Sequence, residues 1–261
     1  MTDSVIEIRD VHKRFITRKA NFLAIHSVNL SIKRNEFVAI VGPSGCGKST
    51  LLNLIAGLDY PTRGKVLYEG KPVTEINTDL GYITQNDTVL PWRTVEENVG
   101  ISLEIRKIPK ALKDEKVRSY IQMAGLAGFE KFYTSQLSGG MRKRVGLIRT
   151  LIYDPGAILM DEPFGALDAQ LKLVMQNELL KIFDETRKTI LFVTHDLGEA
   201  ISLADRVAVF SGRPGTIKKI KEVLIPRPRD IFKIRFSKRF GDLYEELWES
   251  LKEEVSKGES L

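Results

Sequence analysis

The sequence has little cysteine and no long apolar run. Its single cysteine, Cys46, cannot form a disulfide within the chain, which favours a reducing compartment. No apolar run approaches the roughly 18 residues that a membrane-spanning helix needs, and the N-terminus lacks the basic-then-apolar order of a signal peptide. We therefore expect a soluble, cytosolic protein.

The chain has no large excess of one charge. Its hydrophobicity is also higher than that of disordered proteins. Hydrophobic residues make up 43% and charged residues 28% of its 261 residues, enough to build a full core. The formal net charge is +6. A charge of this sign is compatible with nucleic acid, an anionic membrane surface or a phosphate-rich ligand, and charge alone does not choose between them.

No repeat or low-complexity tract interrupts the chain, and its apolar segments predict an α/β fold. Segments 5–8 and 27–32 alternate apolar and polar residues imperfectly, as half-buried strands do. Continuous apolar runs, typical of strands covered on both faces of a parallel sheet, occur at 37–41, 157–160, 189–194 and 206–210. Because helical segments separate these runs, we predict a mostly parallel sheet. The stretch of about 95–150 is mostly helical in character and predicts an insertion between sheet strands.

The end of the chain is segregated by charge. Residues 218–239 hold nine Lys or Arg and two acids, whereas residues 240–261 hold seven acids and two Lys. Residues 240–255 predict an amphipathic helix. Its apolar face holds Leu243, Leu247 and Leu251.

A glycine-rich segment follows the apolar run at 37–41. Residues 42–49 read G-P-S-G-C-G-K-S, which fits the phosphate-binding pattern G-x-x-x-x-G-K-[ST] and precedes a helix predicted over 49–57. Glycines let the backbone aim N–H groups at phosphates, and the helix start adds its positive dipole end. We predict that Lys48 reaches the β- and γ-phosphates, that Ser49 ligates Mg²⁺, and that Thr50 contacts the α-phosphate. The predicted nucleotide-binding residues here are Gly42, Pro43, Ser44, Gly45, Cys46, Gly47, Lys48, Ser49 and Thr50.

Two further motifs narrow the class, since kinases, GTPases and motor ATPases all share the phosphate-binding loop. Asp161 and Glu162 end the run at 157–160, where Asp161 can hold Mg²⁺ through water and Glu162 can act as general base on a water. A Ser-Gly-Gly segment at 138–140 opens a helix predicted over 141–151 and presents N–H donors to an anion. Its position, 90 residues after Lys48 and 24 before Glu162, is what gives this short motif weight.

With these motifs in order, residues 5–220 resemble the ATP-binding cassette (ABC) family. The resemblance implies that Gln85 contacts Mg²⁺ and relays to a transmembrane partner, that 166–168 lie at a dimer seam, and that His195 contacts the γ-phosphate. It places Phe15 where the family has an aromatic residue stacked on adenine, with Phe22 as the competing choice. The implied cofactors are ATP and Mg²⁺. The implied catalytic residues are Glu162, His195 and Gln85, the metal ligands are Ser49, Gln85 and Asp161, and the further nucleotide contacts are Phe15, Ser138, Gly139 and Gly140.

The resemblance also implies a fold and a domain layout. The fold is that of an ABC-type P-loop NTPase, with a RecA-like, mostly parallel core sheet, an N-terminal antiparallel β subdomain and an inserted α-helical subdomain. We predict an ATPase domain at 1–220, with its helical subdomain at about 88–152, and a charged C-terminal tail with a helix at 221–261. Met141 stands where the family's motif usually ends in Gln, and 149–151 depart from its usual Ala-Arg-Ala pattern.

Partners follow from the same resemblance. In the family the 138–140 motif completes the ATP site of the other subunit, so we expect a homodimer, although a heterodimer stays open. The chain looks similar to the nitrate/sulfonate/taurine-type importer branch in segments 53–58, 90–99, 137–141, 161–168 and 225–230. Members of this branch are ATPase subunits at the cytoplasmic side of the bacterial inner membrane. They pair with a separate permease and a periplasmic or lipid-anchored solute-binding protein.

Some alternatives stay open at this stage. Trp92 is either a core residue or an anchor for the permease, which we expect to dock beside Gln85 and 90–92. The alternative function is a soluble ABC-type ATPase that acts on nucleic acid, in DNA repair or translation. Such proteins carry long coiled coils or two cassettes, and neither feature fits 261 residues with one phosphate-binding loop, so we expect no nucleic-acid partner. A P-loop kinase would leave 138–140 and His195 without a use.

Overall fold

The computed structural model describes residues 4–16, 21–86, 88–165 and 167–258. Ala166 of the predicted seam loop and the outermost residues of the predicted domains, 1–3 and 259–261, lie outside these ranges. In chain order the strands are β1 (Ser4–Ile16), β2 (Asn21–Lys33), β3 (Phe37–Val41), β4 (Arg63–Tyr68), β5 (Lys71–Pro72), β6 (Leu80–Ile83), β7 (Ala157–Asp161), β8 (Thr189–Thr194), β9 (Arg206–Phe210) and β10 (Ile217–Glu222). The helices are α1 (Lys48–Ala56), α2 (Val95–Ile105), α3 (Lys110–Met123), α4 (Gly139–Leu151), α5 (Ala169–Thr186), α6 (Leu197–Leu203), α7 (Ile231–Ile234) and α8 (Lys238–Gly258), with a short 3-10 turn at Thr134–Gln136.

Two sheets organise the fold. The N-terminal strands form an antiparallel sheet in the order β2-β1-β4-β5. The second sheet has the order β10-β9-β3-β8-β7-β6 and is parallel throughout except for β10 at one edge. Every residue of β3, β7 and β8 is buried, which explains why these strands are continuous apolar runs in the sequence. The predicted α/β fold with an N-terminal antiparallel subdomain is confirmed.

The inserted helices α2, α3 and α4 lie between β6 and β7 in the chain. They share a hydrophobic cluster of their own, with Val99 and Ile148 among its buried members. Thr94 begins α2 with a reciprocal capping box to Glu97, which fixes where the helix starts. Helix α4 begins at Gly139, two residues before the predicted start, because Ser138 caps it by accepting a hydrogen bond from the Met141 N–H.

The charge-segregated end of the chain folds back on itself. Helix α8 buries Leu243, Leu247 and Leu251, as its predicted amphipathic pattern requires. From the basic edge strand β10, the Lys219 and Lys221 ammonium groups lie 2.6 and 2.7 Å from the Glu246 carboxylate. Hydrogen bonds from these two lysines lower the pKa of Glu246. The basic and acidic segments are therefore two sides of one strand-to-helix contact.

One buried and one half-buried arginine anchor the segment between β10 and α7. The Arg229 guanidinium donates to the Ala204 carbonyl oxygen at 2.8 Å and to the Ile225 carbonyl oxygen at 3.0 Å, and burial lowers its pKa to about 10. Arg227 Nε donates to Asp205 at 2.9 Å. These bonds give segment 225–230 a structural role at the end of α6.

Candidate active site

The phosphate-binding loop lies between β3 and α1, as the sequence predicts. Gly45 and Gly47 have φ angles of +73° and +106°, which side-chain-bearing residues rarely adopt. A Cβ atom on Gly47 would also lie 3.0 Å from the Ala24 carbonyl oxygen. The backbone curve at 42–47 therefore depends on glycine at these positions.

Lys48 lies inside this curve and is only 5% exposed. Its Nζ donates hydrogen bonds of 2.8 and 2.7 Å to the carbonyl oxygens of Gly42 and Pro43. Both acceptors are neutral, so the positive charge of the ammonium group remains available to an anion in the loop. A buried cation at a helix start suits a polyphosphate.

Ser49 and Asp161 provide the oxygen atoms that a magnesium ion would need. Asp161 ends β7, and the Ser49 side chain lies near its carboxyl group, where it lowers the pKa against the larger raising effect of burial. Mg²⁺ is usually bound through one or two protein ligands together with substrate phosphates and water. Among the described residues no group of three His, Cys, Asp or Glu side chains is arranged to hold a metal. The chain thus fits a magnesium ion that arrives with a bound phosphate.

Replacing Asp161 by Asn is expected to stabilise the nucleotide-free protein. Burial raises the pKa of the Asp161 carboxyl in the folded chain, so its ionisation disfavours folding at neutral pH. Asp161→Asn removes this penalty, and we expect its melting temperature at pH 7 to rise by roughly 1–4 °C. The difference should shrink as the pH falls through the folded-state pKa and vanish below 3.8, where the group is protonated in both states.

Melting curves of the two proteins, with Asp242→Asn on the exposed side of α8 as a matched control, measure this effect. The rise in melting temperature caused by ATP with Mg²⁺ should be smaller in Asp161→Asn than in the control. A variant that melts below the parent at pH 7 would contradict the prediction.

Two predicted residues, Gln85 and His195, contact one carboxylate oxygen of a third, Glu162. Gln85 Nε2 donates to Glu162 Oε2 at 3.3 Å, and His195 Nδ1 lies 3.1 Å from the same atom. The three residues follow β6, β7 and β8, which are neighbours in the sheet, so their side chains emerge at one edge. Glu162 has a φ of 44°, a left-handed conformation that turns the chain sharply after β7.

A cavity of about 340 Å³ joins the loop to Gln85, to Glu162 and to the paired ends of β1 and β2 that carry Phe15 and Phe22, here called the aromatic hairpin. Its lining residues are Phe15, Phe22, Ala24, Ser44, Gly45, Gly47, Lys48, Ser49, Thr50, Gln85, Glu162 and Arg213. The rings of Phe15 and Phe22 pack with their centroids 5.6 Å apart. Both aromatic candidates for adenine stacking thus face one cavity, and the choice between them stays open.

The segment 138–140 lies elsewhere on the molecule. None of the lining residues that the structure describes for this cavity belongs to it. Ser138 and Gly139 are exposed, whereas Gly140 packs so closely on α5 that an added Cβ would lie 2.6 Å from Leu171 Cδ2. This chain does not bring its own Ser-Gly-Gly motif to its own phosphate-binding loop.

Helix α4 also holds the segment that carries Gln85, through contacts that sequence reasoning missed. Lys143 Nζ donates to the Gln85 carbonyl oxygen at 2.9 Å, and Arg149 Nη1 donates to the Thr88 carbonyl oxygen at 2.8 Å. Arg149 belongs to the segment that departs from the family pattern, and it now has a structural role. Arg213 is the other residue that was missed. It follows β9 in a Gly-Arg-Pro-Gly turn, a pattern that signals only a turn.

No helix in the described part of the chain has both the length and the apolarity to cross a bilayer.

Residues 25–165 match the sequence model of the family described as ABC transporter. An uncharacterized ABC transporter ATP-binding protein of Methanocaldococcus jannaschii is 48% identical over 252 residues, covering 97% of this chain and 93% of the relative. The aliphatic sulfonates import ATP-binding protein SsuB of Bacillus cereus is 41% identical over 224 residues, covering 86% of this chain and 88% of the relative.

A similar solved structure points to the same family. It is a dimeric structure of an ATP-binding cassette in a post-hydrolysis state, bound to ADP and Pi. It matches with a TM-score of 0.74 at 30% identity and covers 85% of this chain and 100% of that chain. By sequence and by fold, the chain belongs to the ABC transporter family and is one of its ATP-binding cassette ATPases.

Proposed function

We propose that the chain hydrolyses ATP as one half of a symmetric dimer and uses the cycle to drive solute import through a separate permease. The observation that carries this proposal is the convergence of Gln85 and His195 on Glu162 beside the phosphate-binding loop. In this set Glu162 is the candidate base, and Gln85 and His195 orient it. The segment 138–140, whose N–H groups can donate to an anion, is mostly exposed on the same chain.

The described residues divide the work of phosphoryl transfer to water. Lys48 and the N–H groups of the loop bind the phosphate chain, and Ser49 and Asp161 would hold Mg²⁺. When bound, Mg²⁺ supplies positive charge that offsets the charge of the β- and γ-phosphates. Both hydrogen bonds to Glu162 end on Oε2, so we assign Oε1 as the atom that takes the proton of the attacking water. His195 and Gln85 keep that carboxylate in place.

The position of 138–140 supports the proposed dimer. These residues lie outside the cavity of their own chain, so they can act on a nucleotide only across an interface. A two-fold axis that sets the 138–140 segment of each chain over the phosphate loop of the other gives two equal sites. The solved dimer of a cassette at 30% identity supports this arrangement.

An apolar cleft offers a place for the permease. It has a volume of about 540 Å³ and runs between β6 and α2, where its lining includes Leu58, Ile76, Tyr82 and Ile105. Leu58, Ile76 and Ile105 are 53%, 61% and 74% exposed. Several exposed apolar side chains gathered around one cleft are typical of an interaction site. The occupant we propose is a short helix of the permease, because the cleft reaches β6, the strand that leads to Gln85.

Trp92, in the loop before α2, offers a second exposed apolar side chain for the permease. It is 70% exposed, so the alternative of a core residue is wrong. Its loop is held by buried Asn98, which accepts from the Leu90 N–H at 2.7 Å and donates to the Arg93 carbonyl oxygen at 3.1 Å. A large aromatic side chain on a fixed loop is a good interface anchor.

Leu58→Asp and Ile105→Asp are expected to uncouple the cassette from the permease. A carboxylate in the cleft would be desolvated by a docked helix, so we expect copurification with the permease to fall at least tenfold while the basal ATPase rate of the isolated chain stays within twofold. The measurement is affinity purification after coexpression with the integral-membrane permease subunit.

Leu224→Asp is the matched control, because Leu224 is 62% exposed but does not line the cleft. Equal copurification of Leu58→Asp and Leu224→Asp would show that the permease binds another surface.

For the transported solute we propose a small nitrate-like or sulfonate compound, such as nitrate, taurine or an aliphatic sulfonate. The support is the 41% identity to a sulfonate import protein and the motifs shared with that branch. In this arrangement the chain lies at the cytoplasmic side of the bacterial inner membrane, and a periplasmic or lipid-anchored protein delivers the solute. Loss of growth on taurine or an alkanesulfonate as sole sulfur source, after deletion of the gene, tests the sulfonate assignment.

The effect of added partners on ATP turnover separates this function from the nucleic-acid alternative. Neither curated relative named above is described as acting on DNA or RNA. We expect vesicles that contain the permease to stimulate ATP turnover and DNA or RNA to leave it unchanged. Strong stimulation by nucleic acid alone would overturn the proposal.

A further inference from the structure

The turn between β9 and β10 closes one side of the nucleotide cavity. Arg213 in this turn lines the cavity together with Phe22 and Gly45. Its Nη2 and Nε donate to the Gly45 carbonyl oxygen at 3.0 and 3.3 Å. Its Cζ lies 4.9 Å from the centroid of the Phe22 ring. One guanidinium group therefore links the phosphate-binding loop to the aromatic hairpin.

The turn itself is fixed against the rest of the site. The Gly215 N–H donates to the Ala24 carbonyl oxygen, and the His26 N–H donates to the Gly215 carbonyl oxygen, both at 2.9 Å. A Cβ on Gly215 would lie 2.1 Å from the Cys46 carbonyl oxygen, so the turn and the phosphate loop touch backbone to backbone. Arg213 thus projects from a rigid support.

The C-terminal helix holds the other end of the turn. Glu254 of α8 is 6% exposed and accepts a 2.8 Å hydrogen bond from the Gly212 N–H. Lys218 Nζ lies 2.9 Å from its second carboxylate oxygen. A buried carboxylate on the tail therefore positions the residue next to Arg213.

We propose that Arg213 is a nucleotide-binding residue on the base side of the cavity. A planar guanidinium stacks well on aromatic faces and on the π-faces of bases, and it carries five N–H donors. The Gly45 carbonyl holds this group beside Phe22, so an adenine base packed on the phenylalanine pair meets a flat cation at the edge of its pocket. In this arrangement Lys48 contacts the phosphates at one end of the cavity, and Arg213 contacts the base at the other.

This inference rests on the proposed nucleotide site, and one titration series separates the two. The variants are Arg213→Met, which keeps an unbranched side chain without charge, Arg213→Lys, which keeps the charge without the plane, and Lys48→Ala as a reference. The ligands are MgADP and inorganic tripolyphosphate with Mg²⁺, which has the phosphates but no base. Calorimetry gives Kd for each pair, and melting curves without ligand report on folding.

We expect Arg213→Met to raise the Kd for MgADP about 5- to 20-fold and to change the Kd for tripolyphosphate less than twofold. Arg213→Lys should recover less than half of the loss on a logarithmic scale, because it lacks the planar group. Lys48→Ala should weaken both ligands. Equal weakening of both ligands by Arg213→Met, unchanged MgADP binding, or full recovery by Arg213→Lys would each overturn the proposal. If Lys48→Ala left both affinities unchanged, the proposed site itself would be wrong.

Discussion

Glu162→Gln is expected to lower ATP turnover roughly 10²- to 10⁴-fold while ATP binding survives. This is the usual contribution of a general base. The amide keeps the shape of the carboxylate and can still accept a hydrogen bond from Gln85 or His195, but it cannot take a proton from water. Lys48, proposed to bind the phosphates, and Ser49, proposed to hold Mg²⁺, are untouched, so affinity for MgATP should change less than threefold.

Single-turnover and steady-state hydrolysis, together with equilibrium binding of MgATP, measure the two effects separately. Glu249→Gln is the matched control, since the Glu249 side chain is 66% exposed on α8 and does not line the nucleotide cavity. If Glu162→Gln kept near-normal turnover, the base would be another group and the convergence of Gln85 and His195 would need another explanation. A parallel loss of MgATP binding would mean that Glu162 acts in binding.

The sequence predicted the parts of this site whose signals are local. The run 37–41, the glycines and Lys48 lie within a dozen residues, and their spacing alone fixes a strand, a loop and a helix start. Gln85 and His195 were different, because only the family resemblance assigned them to the ATP site, and it did not predict that both contact Glu162. Their meeting depends on β6, β7 and β8 lying side by side, which is a property of the sheet.

The residues that the sequence did not predict bind backbone atoms far away in the chain. Lys143 and Arg149 donate to carbonyl oxygens 58 and 61 residues earlier, and Arg213 donates to one 168 residues earlier. Every residue has a backbone carbonyl, so such a contact leaves no pattern of residue types to read. The charged tail is an intermediate case, because its segregation was visible but the pairing of β10 with α8 was not.

Mixing two inactive variants is expected to restore activity, because each nucleotide site draws on both chains. Lys48→Ala disables the phosphate loop, and Gly139→Asp places a negative charge in the motif that serves the partner's site. Gly139 suits this change because an added Cβ would meet only the end of Arg142, 3.8 Å away. An acid in the first turn of α4 is also compatible with the helix dipole. Each variant alone should retain less than about 1% of the parent's turnover.

In a mixed dimer, the loop of the Gly139→Asp chain faces the intact motif of the Lys48→Ala chain, so one of the two sites is complete. Random pairing of equal amounts makes half of the dimers mixed, and we expect about a quarter of the parent's activity after subunit exchange. The control mixes Lys48→Ala with Glu162→Gln. Both changes disable the same half-site, so this mixture should stay inactive. If Lys48→Ala and Gly139→Asp also failed to complement while both variants still dimerised with the parent, the exposed motif would not serve the partner's nucleotide. The site would then have to be completed by residues other than 138–140.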